Sequence, residues 1–276
     1  MDRLQQAIQK ARQERAARNP RSEPLQLTED QQLVAEEPDD GLWTALPEIS
    51  IDAKTVKSNR LMSYAGGHDA APYDMLRTKV LQQTLSNGWR RLALTSPYSG
   101  AGKSTSTANL AFSLGRQTDL RILVIDFDMR RMGLAGVLGQ TGKNSMGDVI
   151  KGKVRFEDHA VRHGENVIFG LNYVAARNPS EILQSRQMVE TLEHIEATYK
   201  PDLIMFDTPP LMGSDDSHGF LKNVDCALLL VAAEKTSMDH IDLAERQLSE
   251  LTNVMGVVLN KCRYISGAYG NEYGVY

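Results

Sequence analysis

A glycine-rich loop carries the residues whose types and spacing are best suited to bind phosphate. The stretch from Ser96 to Thr105 reads SPYSGAGKST; a short apolar run precedes it and an amphipathic segment follows it. Glycines let backbone N–H groups turn toward an anion, and the positive amino-terminal end of a following helix adds to the attraction. Lys103 can reach the outer phosphates, and Ser104 can bind magnesium. The residues expected to contact the phosphates are Gly100, Ala101, Gly102, Lys103, Ser104 and Thr105. The alternative is a glycine turn that only caps a helix.

Three aspartates that follow apolar runs form a second set of candidate residues. Asp126 and Asp128 are two residues apart after one run, so both face the same side of an extended chain, and Asp207 follows another run. A lone aspartate in this position is most often a helix cap or a turn former. Three carboxylates behind one phosphate loop instead favour phosphoryl chemistry, in which carboxylates hold magnesium or accept a proton. Arg130 either stabilises transferred charge or pairs with a nearby acid at the surface.

Short apolar runs alternate with longer helical patterns and are expected to position these side chains. The predicted strands are Leu92–Thr95, Ile122–Ile125, Val167–Val174, Leu203–Phe206, Ala227–Val231 and Val254–Leu259. Continuous apolar strands that alternate with helices indicate a parallel sheet covered on both faces. The sequence therefore predicts an α/β fold with a doubly wound, mainly parallel sheet, whose carboxyl edge brings the loop and the aspartates together.

The chain as a whole divides into four predicted parts. Residues 1–18 have the pattern of a short amphipathic helix, which either docks onto a membrane partner or is a solvated helix without one. Residues 19–50 are rich in proline and acids and are expected to be a linker, from which Trp43 and Leu46 dock onto the main domain. Residues 51–262 form the predicted ATP-binding domain. Residues 263–276 are expected to be a flexible, tyrosine-rich tail.

Composition excludes several classes of protein. A net charge of -4 and a charged fraction of 24% are typical of a globular protein rather than a nucleic-acid binder. The two cysteines, Cys226 and Cys262, belong to no metal-binding pattern and are expected to be buried thiols. The longest apolar run, 226–233, is much shorter than the roughly 20 residues of a membrane-spanning helix. We therefore expect a cytoplasmic protein.

Over about residues 70–276 the chain resembles the bacterial tyrosine kinases of capsular and exopolysaccharide systems. Its phosphate loop resembles the Walker A motif of P-loop NTPases, although Pro97 replaces the usual first glycine. The Asp126-x-Asp128-x-Arg130 segment resembles the family's Walker A′ motif, and Asp207 begins a segment that resembles Walker B. The sequence NPSEIL at 178–183 and the tail tyrosines are similar to further family features. The resemblance also implies that Asn260 lies near the adenine.

The resemblance implies an ATP- and Mg²⁺-dependent protein tyrosine kinase that phosphorylates its own tail. Ser104, Asp128 and Asp207 are then expected at the metal or its waters, and Asp126 is the candidate base, although Asp126 and Asp128 are interchangeable from spacing alone. The expected phosphoacceptors are Tyr264, Tyr269, Tyr273 and Tyr276. The expected partners are a second copy of the chain, through contact between tail and active site, and a transmembrane polysaccharide co-polymerase that activates the kinase and recruits it to the inner face of the plasma membrane.

The main alternative is a nucleotide-switch ATPase of the septum-positioning and plasmid-partition group. Those proteins carry a signature lysine five residues before the loop lysine, and this chain has Tyr98 there. The segment 71–77 resembles the kinases' oligomerisation helix, which normally reads Glu-x-x-Arg-x-x-Arg. Here only Arg77 matches, and an acid, Asp74, stands where an arginine is expected. The segment therefore predicts a monomer, or an assembly smaller and weaker than the family's ring.

Overall fold

The computed structural model describes residues 40–213 and 215–262. The predicted amino-terminal helix, most of the predicted linker and the tyrosine-rich tail lie outside these ranges. Among the residues that the structure describes, no helix is both long and apolar enough to cross a membrane.

Strands and helices alternate along the chain. The strands are β1 (Arg91–Thr95), β2 (Ile122–Asp126), β3 (Val161–His163), β4 (Val167–Gly170), β5 (Leu203–Asp207), β6 (Cys226–Ala232) and β7 (Asn253–Asn260). The helices are α1 (Asp40–Thr44), α2 (Ala53–Ser58), α3 (Ala71–Asn87), α4 (Lys103–Gly115), α5 (Gly133–Leu138), α6 (Met146–Ile150), α7 (Pro179–Leu183), α8 (Arg186–Tyr199), α9 (Asp216–Leu221) and α10 (Met238–Ser249).

The seven strands within the described part of the chain form one sheet in the order β3-β4-β2-β5-β1-β6-β7. All neighbours are parallel except β3, which runs antiparallel to β4. Apolar side chains pack on both faces of the sheet in two separate clusters. The predicted doubly wound, mainly parallel α/β fold is therefore confirmed.

Two details of the sheet differ from the prediction. The edge strand β3 is only three residues long and half-buried, so it has no continuous apolar run to reveal it. The strand predicted over 167–174 ends at Gly170. Beyond that point the Asn172 side chain accepts a hydrogen bond from the Met146 N–H at 2.9 Å and donates one to the Asp126 carbonyl at 2.8 Å.

Part of the predicted linker packs against the domain. Trp43 is 1% exposed and donates a hydrogen bond from Nε1 to the Tyr199 carbonyl at 2.9 Å. Its ring also lies edge-on to the aromatic ring of Tyr199. Leu46 and Ile49 are also buried. Burying a tryptophan removes a large apolar area from water, so these contacts stabilise residues 43–49 against the domain. Of the two cysteines, Cys226 is buried but Cys262 is exposed, so the expectation for Cys262 is wrong.

Helix α3, which contains the altered oligomerisation segment, packs along α4. Pro72 lies in the first turn of α3, where a missing N–H costs no hydrogen bond. Asp74 accepts hydrogen bonds from the Ser113 hydroxyl and from Arg116, and Arg77 donates to the Ser113 carbonyl at 2.9 Å. Both charged side chains of the segment therefore have partners within the chain.

Candidate active site

The two acidic strand ends lie side by side at the carboxyl edge of the sheet. Asp126 at the end of β2 is in register with Asp207 at the end of β5. The backbone N–H groups of Phe127 and Asp128 both donate to the Asp207 carbonyl, at 2.8 and 3.1 Å. The β2 strand end is thus fixed against its neighbour, and Asp126, Asp128 and Asp207 belong to one site, as their positions in the sequence indicated.

The phosphate loop connects β1 to α4, and Lys103 is the first residue of that helix. Gly102 has a φ of 93°, a conformation that side-chain-bearing residues rarely adopt. A Cβ atom on Gly102 would lie 2.5 Å from the side-chain nitrogen of Asn260, so glycine is also required by space. The amino-terminal end of α4 therefore carries a loop in which N–H groups can surround an anion.

Lys103 is 7% exposed, and its ammonium donates to the Ser96 hydroxyl at 3.2 Å. Burial lowers the pKa of Lys103, and the negative charges of Asp207 and Asp128 oppose that shift. A lysine among acids at a phosphate loop is well placed to neutralise the charge of a bound nucleotide.

The three carboxylates lie in a low-dielectric site. Asp126 and Asp207 are 0% exposed, and Asp128 is 6% exposed. Burial raises the pKa of Asp126 well above its usual value, and the charges of Asp207 and Asp128 add to this effect. Burial also raises the pKa of Asp207 to about 6, against the opposing effects of Lys103 and of hydrogen bonds from Ser104 and Thr107. Burial raises the pKa of Asp128 as well, but the positive charges of Lys103 and Arg131 oppose it.

The residues at this edge fit a nucleotide-bound magnesium ion. One buried oxygen of Asp126 and one of Asp207, Oδ2 in each case, have no hydrogen-bond partner. Buried carboxylate oxygens need a partner, and a cation with its waters supplies one. Within residues 40–213 and 215–262, no three His, Cys, Asp or Glu side chains form a complete metal site. Magnesium is usually held by one or two carboxylates together with phosphate oxygens and waters, so the two unpartnered carboxylate oxygens fit such an ion.

The Ser104 hydroxyl lies close to the start of helix α5, which follows the loop after β2. A Cβ atom on Gly133 would lie 2.7 Å from the Ser104 oxygen, so only glycine leaves the observed space. Ser104 and the first residue of α5 therefore lie close together. Ser104, Asp128 and Asp207, the predicted metal set, belong to the same part of the site.

Asn260, which the resemblance places near the adenine, contacts the phosphate loop in this structure. Its amide nitrogen donates to the Ala101 carbonyl at 2.8 Å and to the Ser106 hydroxyl at 3.3 Å. The neighbouring Lys261 donates to the Gly100 carbonyl at 2.7 Å. The end of β7 thus supports the loop from outside, and a role in recognising the base remains a prediction.

Arg130 is paired with an acid that the sequence did not single out. Its Nε and Nη2 atoms donate to the two carboxylate oxygens of Asp216 at 2.5 and 2.9 Å. The Arg130 side chain is 52% exposed, whereas Asp216 is 0% exposed. Of the two interpretations of Arg130, the ion pair is therefore observed in this structure.

The sequence also missed Asn172 and Thr107. Asn172 fixes the β2 strand end through the Asp126 carbonyl, and the Thr107 hydroxyl lies 3.5 Å from Asp207. Thr107 lies one helical turn after Lys103, so its position on the same face of α4 was a usable signal. Asn172 and Asp216 have no such signal, because their contacts span long separations in the sequence. The predicted acceptors Tyr264, Tyr269, Tyr273 and Tyr276 lie outside the described residues.

Comparison with known proteins identifies the family to which this chain belongs. The family profile described as "CobQ/CobB/MinD/ParA nucleotide binding domain" matches residues 92–266, well over half of the chain. Tyrosine-protein kinase CpsD of Streptococcus pneumoniae is 28% identical over 207 residues, which cover 72% of this chain and 86% of CpsD. EpsB of Ralstonia solanacearum is 33% identical over 211 residues, covering 73% of this chain.

Some of these relatives are much longer than this chain, which spans only 27% of the length of EpsB. The crystal structure of the VpsO kinase domain superposes with a TM-score of 0.62 at 28% identity, covering 70% of this chain and 94% of that domain. The chain therefore belongs to the CobQ/CobB/MinD/ParA nucleotide-binding domain family, and within that family it resembles proteins named as tyrosine-protein kinases.

Proposed function

We propose that this chain is an ATP- and Mg²⁺-dependent protein tyrosine kinase that phosphorylates its own tyrosine cluster, between molecules, in a capsule or exopolysaccharide system. The observation that carries the proposal is the buried arrangement of Asp126, Asp128 and Asp207 next to Lys103. Relatives named as tyrosine-protein kinases support the choice of tyrosine as the acceptor. The acceptors are Tyr264, Tyr269, Tyr273 and Tyr276.

The reaction forms a bond between the phenol oxygen and the γ-phosphorus of ATP, breaks the bond to the β,γ-bridging oxygen and releases ADP. The phenol has a pKa near 10, so its proton must be accepted during transfer. Lys103 is proposed to neutralise the β- and γ-phosphates, and the loop from Gly100 to Thr105 to hold them by N–H groups. Mg²⁺, when bound, neutralises further negative charge on the transferred group.

The electrostatics of the site support a division of roles among the aspartates. The pKa of Asp126 is raised most clearly, by burial and by two neighbouring acids, and a raised pKa improves a carboxylate as a proton acceptor near neutral pH. Lys103 and Arg131 oppose the rise in the pKa of Asp128, which favours its charged form. We therefore assign Asp126 as the base, and Asp128 and Asp207, together with Ser104, to the metal or its waters.

The proposed partner is the intracellular end of a transmembrane polysaccharide co-polymerase. It would activate the kinase and recruit it from the cytoplasm to the inner face of the plasma membrane. Each phosphorylated tyrosine adds a charge of about -1.5 to -2 at neutral pH, so several together would make the tail strongly acidic. Such a change is suited to releasing contacts between tail and active site in an assembly.

The proposal is tested by incubating the chain with γ-labelled ATP and Mg²⁺, with and without activator peptides from candidate co-polymerases. Mass spectrometry then locates the phosphate. The expected result is phosphotyrosine within residues 263–276. Hydrolysis of ATP with no phosphotyrosine under either condition would contradict the proposal and favour the nucleotide-switch ATPase.

Tyr98, which replaces the signature lysine of the switch group, is 43% exposed and lies against His240.

A further inference from the structure

Asp216 is a fully buried carboxylate that has no part in the roles proposed so far. It is the first residue of α9, and both of its oxygens accept hydrogen bonds from Arg130. The Ser180 hydroxyl in α7 also donates to it. A buried carboxylate is costly unless it is paired and hydrogen-bonded. These contacts therefore fix both the position of Asp216 and the orientation of the guanidinium group that meets it.

The first turn of α9 links the two acidic strand ends of the active site. Arg130 lies two residues after Asp128 in the loop that follows β2. On the other side, the hydroxyl of Ser217 donates to the Pro209 carbonyl at 2.7 Å, two residues after Asp207. Asp216 thus connects the loop after β2 to an element that is itself bonded to the loop after β5.

The Arg130 side chain lines a cleft of about 440 Å³ next to this connection. The other walls of the cleft come from two acids, Glu181 and Asp215, from further residues between Asn178 and Gln184, and from Ala176. The Ala176 N–H donates to the Met129 carbonyl at 2.9 Å. Because Met129 adjoins Asp128, the cleft opens beside the active-site loop. Asp216 occupies Nε and Nη2 of Arg130, which leaves Nη1 for another acceptor.

We propose that Asp216 is a positioning residue for phosphoryl transfer. It holds the guanidinium group of Arg130 at the cleft wall, where Nη1 is available to the negative charge of the phosphoryl group as that group moves to its acceptor. An arginine on an exposed loop has many rotamers, and a bidentate carboxylate selects one of them. This inference rests on the proposed kinase function and assigns a role in it to a residue outside the phosphate loop and the strand ends.

The test compares Asp216→Asn with the wild-type chain in two assays. Titration with a fluorescent ADP analogue and Mg²⁺ measures nucleotide affinity, which should stay within about twofold. The rate of tyrosine phosphorylation at saturating ATP should fall about tenfold or more, since a tenfold change corresponds to about 1.4 kcal/mol of activation free energy. Thermal unfolding of each variant shows that it is folded.

A double-mutant cycle separates positioning from a general loss of structure. If Asp216 acts through Arg130, the double variant Asp216→Asn/Arg130→Gln is no slower than Arg130→Gln alone. If Asp216→Asn fails to fold, Arg130→Lys serves in its place. Lysine keeps the charge but cannot form the paired hydrogen bonds. The phosphorylation rate of Arg130→Lys should therefore fall as far as that of Arg130→Gln.

The chain offers a matched control at the opposite end of the sheet. Arg91, the first residue of β1, donates from Nε and Nη2 to the two oxygens of Glu196 at 2.6 and 2.8 Å. Glu196→Gln breaks an ion pair of the same geometry away from the phosphate loop. It should leave nucleotide affinity and phosphorylation rate within about twofold of wild type, because a distant pair does not share partners with the active site.

Two results would overturn the inference. One is a wild-type phosphorylation rate in folded Asp216→Asn or in Arg130→Lys. The other is a further loss of rate when Asp216→Asn is added to Arg130→Gln. A wild-type chain that transfers no phosphate to tyrosine would instead refute the proposed function, and this inference with it.

Discussion

Replacing Asp207 by Asn should stabilise the ligand-free protein while it impairs the active site. In the folded chain Asp207 is fully buried and its pKa rises from 3.8 to about 6. Between these two values the folded state binds a proton that the unfolded state has lost, so stability falls as pH rises. At about 1.4 kcal/mol per pKa unit, the ionised carboxylate costs about 3 kcal/mol at neutral pH. Asparagine has the same size and carries no charge.

The gain in the free energy of unfolding of Asp207→Asn should depend on pH in a defined direction. At about pH 7.5 the substitution is expected to raise the free energy of unfolding by about 1 to 3 kcal/mol, because part of the gain is offset by the lost attraction to Lys103. At about pH 4.5 the folded wild-type protein already holds the proton on Asp207, so the gain should shrink to about 1 kcal/mol or less. Urea denaturation at both values, without nucleotide, measures the difference.

A surface carboxylate supplies the control for this measurement. The Asp69 side chain is 87% exposed, so Asp69→Asn should change stability by less than about 0.5 kcal/mol at either pH. A loss of stability in Asp207→Asn at neutral pH, or a gain that grows as pH falls, would refute the argument that the buried, ionised Asp207 carboxylate destabilises the protein.

Three further results are expected. Asp126→Asn should lower phosphotransfer by about two orders of magnitude or more with little loss of nucleotide affinity; near-normal turnover would move the role of base to Asp128. Gly102→Ala should weaken nucleotide binding in a fluorescence titration, because a Cβ atom there lies 2.5 Å from Asn260; wild-type affinity would show that the loop tolerates it. Light scattering should show a monomer or a small, weak assembly at micromolar concentration, because Asp74 is bonded within the chain; a stable ring would contradict this.

The central strands were predictable because their apolar runs are continuous. The strands predicted over 122–125 and 203–206 match β2 and β5 to within one residue, and the observed strands end on Asp126 and Asp207. A strand buried on both faces excludes polar residues until it reaches the sheet edge, so the first carboxylate marks the site. Parallel topology therefore places these acids at the same edge of the sheet, whereas the strand order that makes β2 and β5 neighbours was not predicted.

Contacts between distant residues were not predictable in the same way. The Arg130–Asp216 pair joins residues 86 positions apart, and nothing in either local sequence selects that partner. The hydrogen bond from Asn260 to the Ala101 carbonyl joins residues 159 positions apart and was not predicted either. In both cases the side chain's partner depends on how helices and loops pack at the sheet edge, which local pattern does not encode.

Transfer of phosphate between chains is the most direct test of the central claim. The assay mixes a Lys103→Ala chain that has an intact tail with an active chain whose tail tyrosines, Tyr264, Tyr269, Tyr273 and Tyr276, are all replaced by Phe. With ATP, Mg²⁺ and activator present, phosphotyrosine should appear on the Lys103→Ala chain, which we expect to be unable to use ATP itself. Distal tyrosines should be labelled first, because each extended residue adds about 3.3 to 3.6 Å of reach. ATP hydrolysis with no phosphotyrosine on either chain would contradict the account.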